Sequence, residues 1–180
     1  VEIDAVDLAR AGDWAALPVK LKGKISADLG LRVNTAMQEQ PEGEFSVKVA
    51  SFELPAGPVM TQMGPINLPT VSMKNVLFRG RLVNGNLMLE EGAFGQAGEP
   101  AHGKVKGQIA LRIVPGAGAQ VGQYNLTVDL NLTSAFEKEL GFAFLLENYK
   151  SPGAGGNRYL MRIQGTDMAN PPLITRVSSF

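Results

Sequence analysis

The sequence predicts a mainly β protein: a long, twisted and curved antiparallel sheet built from repeated hairpins, with one or two short helices. Three observations carry this. The first is alternation. Val19, Leu21, Ile25, Ala27, Leu29, Leu31 and Val33 occupy odd positions, while Lys20, Lys22, Lys24, Ser26, Asp28, Arg32 and Asn34 occupy even ones. A period of two over so long a stretch is a strand with one wet face, and sheets wet on one side are typically antiparallel. The second is repetition. "GKISADLGLRV", Gly23–Val33, returns as "GKVKGQIALRI", Gly103–Ile113. Each copy leads through a turn into a partner strand, so the repeated unit is a hairpin, one over about 19–54 and one over about 103–133. The third is Asn84-Gly85 between two apolar stretches, the signature of a type I′ hairpin turn, which needs positive φ at both central residues.

Taken along the chain, a short helix is expected over Asp4–Ala11, broken by Gly12-Asp13, with Trp14 packed inward beyond it. The first hairpin pairs the Val19–Val33 segment with "EFSVKVASFEL", Glu44–Leu54, across the turn Asn34–Gly43. Gly23 and Gly30 are points where its first strand curves or bulges. Pro55–Pro69 holds four prolines and two glycines and reads as a loop or crossover. Strands over about Thr70–Leu82 and Leu87–Phe94 flank the Asn84-Gly85 turn, and Gly95–Gly103 is the next turn. In the second hairpin Val105, Ile109, Leu111 and Ile113 face one way, and Lys104, Lys106, Gln108 and Arg112 the other. After the loop Val114–Gln123, Tyr124, Leu126, Val128, Leu130 and Leu132 alternate against Asn125, Thr127, Asp129 and Asn131.

The best helix signal is "TSAFEKELGFAFLLENYK". Ser134 and Glu137 have capping-box spacing, Phe136, Leu140, Ala143 and Phe144 recur at helical spacing, and Lys150 suits the negative end of the dipole. "SPGAGGN" stops it. "RYLMRIQGT" then reads as a last strand, and "ANPPLITRV" as an extended tail limited by Pro171 and Pro172.

The 180 residues suit a single β-rich domain, 1–180, and a hydrophobic fraction of 44% makes it globular. Seventeen basic residues balance seventeen acidic ones, so there is no electrostatic case for nucleic acid or an anionic membrane surface. The absence of cysteine excludes a disulfide framework and thiolate zinc sites. The longest apolar run, Phe142–Leu146, is far short of a membrane span. The chain begins at Val1 and is read as a piece of a longer one, with any membrane anchor upstream of it.

A search for chemistry returns little. His102 is the only histidine, and it lies in a Gly/Pro-rich turn with no partner ligand. Glu90 and Glu91 are neighbours in a predicted strand, so they are expected on opposite faces and not as an acid/base pair. No nucleophile elbow, P-loop or dinucleotide fingerprint occurs. "GAGAQVGQ" joins two antiparallel strands and reads as a hairpin loop. No catalytic residue, metal or cofactor is expected. Lys20, Lys22, Lys24, Lys104, Lys106 and Arg112 form cationic stripes, read as the solvated face of a sheet protected from aggregation. The acceptor patterns at Asn125 and Asn131 fall in a strand and read as accidental. Met60, Met63, Met73 and Met88 read as core filling, with an adaptable apolar groove as the other reading.

One stretch carries a family resemblance: "INLPTVSMKNVLFRGRLVNGNLMLEEGAFGQAGEPAHGKVKGQIALRI". Its order is a Leu-Pro entry, an "L..G.L.NG.L.LE" hairpin, a glycine-containing turn and a "G.I.LR" strand. It resembles the periplasmic part of the type II secretion system protein N family, related in style to AsmA-like repeat proteins. "YNLTVDLNLTSAFEKEL" and "NRYLMRIQGTDMANPPL" are similar to the strand-plus-helix and closing strand of that family, and "VDLARAGDWAALPVKLKGKISADLGL" to an AsmA-like start. The resemblance spans about Val6 to Leu173. It implies an inner-membrane anchor, a β-rich periplasmic domain, and an accessory role in the machine that exports folded proteins through the outer membrane. It offers no catalytic residues.

Three functional classes follow. The first is a non-enzymatic assembly component of the type II secretion machinery, making protein–protein contacts in the periplasm through exposed edge strands or the Pro55–Pro69 loop. The second is a module that binds lipid or another apolar ligand on Leu21, Ile25, Leu29, Val105, Ile109, Leu126 and Val128. A plain core needs those same residues, so pattern alone does not separate the two. The third, an enzyme, lacks a nucleophile–base constellation.

Overall fold

The computed structural model describes residues 2–9, 21–32, 40–61, 64–114, 118–151, 157–167 and 170–180. Its strands are β1 (Glu2–Asp7), β2 (Lys22–Arg32), β3 (Glu42–Leu54), β4 (Gly57–Thr61), β5 (Gly64–Leu68), β6 (Val71–Val83), β7 (Asn86–Phe94), β8 (Ala101–Val114), β9 (Gly118–Leu132), β10 (Asn157–Gly165) and β11 (Leu173–Arg176). Helices α1 (Ser134–Glu139) and α2 (Ala143–Leu146), then a 3-10 turn at Glu147–Tyr149, lie between β9 and β10. Nine strands form one antiparallel sheet in the order β1-β2-β3-β6-β7-β8-β9-β10-β11, and β4 and β5 pair only with each other. Apart from that excursion, every strand lies beside its neighbour in sequence, as short turns between amphipathic strands dictate. The mainly β, curved-sheet reading is correct. The two similar hairpins, β2–β3 and β8–β9, are not side by side: β6 and β7 separate them.

Directly opposed residues share a face, so the registers assemble the two surfaces. One row runs Ile25, Val49, Val76, Phe94, Gly103, Leu130, Tyr159 from β2 to β10. The next runs Ala27, Val47, Phe78, Gly92, Val105, Val128, Met161, and a third Leu29, Phe45, Gly80, Leu89, Gly107, Leu126, Ile163. These rows make one apolar face. The other face is polar, as in the row Asp28, Ser46, Arg79, Glu91.

Two buried clusters anchor the apolar face. Under α1, Phe136 and Leu140 pack on Ala101, Leu132, Tyr159 and Met161. Burying a side chain like Phe136 or Leu140 is worth about 1.5–3 kcal/mol. Nearer the other edge, Leu8 packs on Val49 and Val76. The half-buried Met73 touches both clusters.

The Asn84-Gly85 turn has φ of 49° and 72°, the positive pair that the type I′ reading requires. The turn before β8 is stapled by Glu99, whose carboxylate accepts from Gln96 N at 2.9 Å and from Lys74 N on β6 at 3.0 Å.

Four local expectations are corrected. Glu2–Asp7 is a strand, not the start of a helix: it pairs with β2, and among the described residues of this segment Leu8 and Ala9 are helical, with Asp7 Oδ1 accepting from Ala9 N at 2.8 Å. The free edge of β2 outweighs a weak helix propensity, and a bulge with Ala5 at φ 50° absorbs the misfit. Residues 10–20, including Trp14, Val19 and Lys20, lie outside the described residues. The Pro55–Pro69 segment is not a plain loop, since it holds the β4–β5 hairpin. The helical segment starts one residue earlier than the capping box implies: Thr133 is the N-cap, its Oγ1 accepting from Phe136 N at 3.3 Å. It also breaks between α1 and α2: Leu140 leaves the helix with an extended backbone, φ −75° and ψ 101°, and Gly141 and Phe142 form a turn before Ala143. Finally, the tail "ANPPLITRV" contains a true strand, β11, added to the edge of β10.

Candidate functional site: the apolar sheet face

All seven candidate binding residues are on described positions. Leu21, Ile25, Leu29, Val105, Ile109, Leu126 and Val128 are each half-buried, neither enclosed nor free. Five of them fall in the three apolar rows, and Ile109 lies in the next row, opposite Leu87 and Tyr124; Leu21 precedes β2 and packs with Ile25 against the Leu8 cluster. Val128 packs against the cluster under α1. The structure therefore gathers the set on one surface but spreads it across β2, β8 and β9 rather than around a pocket.

The same surface carries a feature that pattern reading missed. Gly103 on β8, Gly92 on β7, Gly80 on β6 and Gly43 on β3 step down one row per strand, drawing a diagonal of missing side chains. A Cβ on Gly43, Gly80 or Gly103 would run into the carbonyl of Gly30, Met88 or Asp129 respectively, in the next strand. Along this line the neighbouring strand leaves no room for a side chain.

An aromatic ring faces each of three of these glycines from directly across the strand pair: Phe94 opposite Gly103, Phe78 opposite Gly92, Phe45 opposite Gly80. Ring atoms lie 2.8, 3.2 and 3.1 Å from where the glycine Cβ would be, so the rings rest on the glycine backbone. Tyr124 covers Gly165 in the same way on β9 and β10. The result is an apolar floor about one ring thick. No sequence signal marks these pairs, because they exist only once the register is known.

The polar face is built differently. Bulges in β7 place Glu90 and Glu91 on the same side, not on opposite faces as strand alternation predicts. Each is held by an arginine of β6: Glu90 by Arg81 at 2.7 Å and Glu91 by Arg79 at 3.5 Å. Lys22, Lys24, Lys104, Lys106 and Arg112 are exposed, as a solvated stripe requires, with Lys22 paired to Glu53 at 2.6 Å. Arg158 grips Asp129 through two bonds of 2.8 Å, which raises the guanidinium pKa further. Open hollows of about 480 and 470 Å³ lie here, one among Asp28, Ser46, Arg79 and Arg81, the other among Gln108, Asn125 and Gln164. Both are lined mainly by the polar rows.

Two buried polar groups complete the description. Tyr159 is fully buried, and its hydroxyl donates to Glu137 on α1. Burial first, then that bond and the charges of Glu137 and Glu147, push the phenol pKa well above the tyrosine range. Lys150 sits 3.8 Å from Glu137 and 3.2 Å from Glu147, so the group ties the helical segment to β10. His102 is not a solvated turn residue. It lies on β8, half-buried, with its Nδ1 buried and unpartnered.

Of the four methionines, two have described side chains, since that of Met60 lies outside the described residues. Met73 is half-buried between the clusters, and Met88 is exposed on the polar side; Met63 lies outside the described residues. Among the described residues no group of three or more His, Asp or Glu side chains is placed to hold a metal, and no helix is long and apolar enough to cross a membrane. No family model, curated protein or solved structure matches this chain.

Proposed function

We propose that this chain is a non-enzymatic assembly component of a bacterial type II secretion machine. It works in the periplasm, anchored to the inner membrane in its full-length form, and contacts other secretion proteins through its sheet. The observation that carries the contact reading is the apolar face. Ile25, Leu29, Phe45, Phe78, Phe94, Val105, Leu126 and Val128 stay half-buried on it, between buried residues such as Val49, Val76 and Leu89, while the two hollows of about 480 and 470 Å³ open mainly on the polar rows. A broad, shallow apolar surface suits a macromolecular partner better than an enclosed small molecule. The place in secretion rests on the motif resemblance from Val6 to Leu173. The edges are a poorer contact site than the sequence suggests: β1 is bulged and acidic, and β11 is four residues long behind Pro171 and Pro172. Both are devices that blunt strand addition.

The test is photo-crosslinking from Leu29 and Leu126 in cells that carry the machine. Crosslinks to other secretion proteins, lost together with secretion in Leu126→Asp, support the reading. Normal secretion with no such crosslinks overturns it.

A second reading, an apolar ligand such as a lipid on the same face, is favoured by one observation: the rings of Phe45, Phe78 and Phe94 pave it. Native mass spectrometry with lipid extraction separates the two. Lipid at fixed stoichiometry supports the ligand reading, and a lipid-free protein leaves the assembly reading ahead.

A further inference from the structure

We propose that the β4–β5 hairpin is a membrane-contact arm that beds in the interfacial layer of a zwitterionic bilayer. Charge makes the first argument. From Leu54 to Met73 the chain runs 20 residues without Asp, Glu, Lys, Arg or His, its longest such run, although charged residues make up 19% of the whole. No charge has to be desolvated if the arm leaves water.

The backbone makes the second argument. A hairpin paired only with itself leaves two outer edges, and unpaired donors there oppose entry into an apolar phase. Pro58 stands opposite Asn67, and Pro65 opposite Met60, at the same phase of the ladder. A proline in a paired strand sits where its missing N–H would point outward. The outward positions are therefore Pro58, Met60, Pro65 and Asn67, and two of the four have no donor to strand. The same prolines obstruct strand addition by a protein partner, which is why a lipid surface is the occupant chosen here.

The base of the arm makes the third argument. Charge resumes at Glu53, which is paired to Lys22 at 2.6 Å, and Ala56 N is held by Thr70 Oγ1 at 3.3 Å. The border between charged and uncharged surface is thus sharp, with Glu53 at one end of the run and Lys74 at the other. Anionic lipid is not needed for attraction. Pro58, Pro65 and Asn67 are exposed and available for contact. The arm belongs to a separate two-stranded sheet, so the proposal does not depend on what the main sheet binds.

The experiment uses the absence of cysteine, which makes an introduced thiol unique. Asn67→Cys, carrying an environment-sensitive fluorophore, is mixed with phosphatidylcholine vesicles, with Asn86→Cys beside the β6–β7 turn as the control site. The expected result is a blue shift with a severalfold intensity rise at position 67, none at 86, and no change between low and high salt. Adding Pro58→Asp and Pro65→Asp should lower vesicle partition at least tenfold. No response at 67, an equal response at both sites, or a response erased by salt overturns the proposal. The two fluorophore sites are read on the otherwise native chain, so the result stands even if the charged variants fold poorly.

Discussion

Replacing Gly80 by alanine tests the glycine diagonal at its tightest point. The new Cβ would meet the Met88 carbonyl, which is backbone and cannot rotate away. Forcing an extra methyl into packed structure costs about 1–3 kcal/mol. The Cβ position is also 3.1 Å from Phe45 Cε1, so the ring must lift from the floor and lose part of its burial, about 1 kcal/mol more. Against this, alanine restricts the unfolded chain and returns about 0.4–1 kcal/mol. The net expectation is a loss of about 1–3.5 kcal/mol. Gly141→Ala is the matched control: a Cβ there meets nothing within 4 Å, and only the favourable unfolded-state effect applies. Urea unfolding followed by circular dichroism compares the two midpoints at common slope. If Gly80→Ala is as stable as Gly141→Ala, the neighbouring strand does leave room at Gly80 and the account of the glycine diagonal is wrong.

Other expectations follow from the buried polar contacts. Tyr159→Phe should cost about 1.5–3 kcal/mol, the scale of a hydrogen bond to a charged group, and a cycle with Glu137→Gln should show strong coupling by the same unfolding assay. Additive losses would disprove the bond's role. The raised phenol pKa also sets a pH dependence: native Tyr159 keeps its proton where the unfolded chain loses it. Its contribution is complete below about pH 10 and declines as pH rises past that value, by up to about 1.4 kcal/mol per unit. Tyr159→Phe should flatten that decline, and an unchanged alkaline slope would contradict the assignment. Arg158→Ala should cost about 1–2 kcal/mol, since Asp129 is largely buried and loses both bonds. Arg81→Ala, on an exposed pair, should cost under about 1 kcal/mol, and equal effects would refute the contrast.

The sequence by itself determined the long strands β2, β3 and β6 to β9, most of their faces, and the main turns. The period-two alternation of Ile25, Ala27 and Leu29, or of Leu126, Val128 and Leu130, is local information, and a strand with one apolar face follows from it alone. Asn84-Gly85 specified its turn for the same reason: positive φ is a property of two residues. The seven apolar candidates were legible as one class, because side-chain direction alternates along a strand wherever no bulge interrupts it.

What the tertiary structure decided depends on pairing between distant segments. Glu2–Asp7 became a strand because β2 offered it an edge. Glu90 and Glu91 share a face because β7 bulges against β6 and β8. His102 is drawn into β8 because that strand starts two residues before the repeated segment does. Above all, Gly43, Gly80, Gly92 and Gly103 are scattered over 61 positions of sequence, yet they form one line with Phe45, Phe78 and Phe94 laid against it. A glycine's neighbour across a sheet is set by register, and register is a long-range quantity that no local pattern contains.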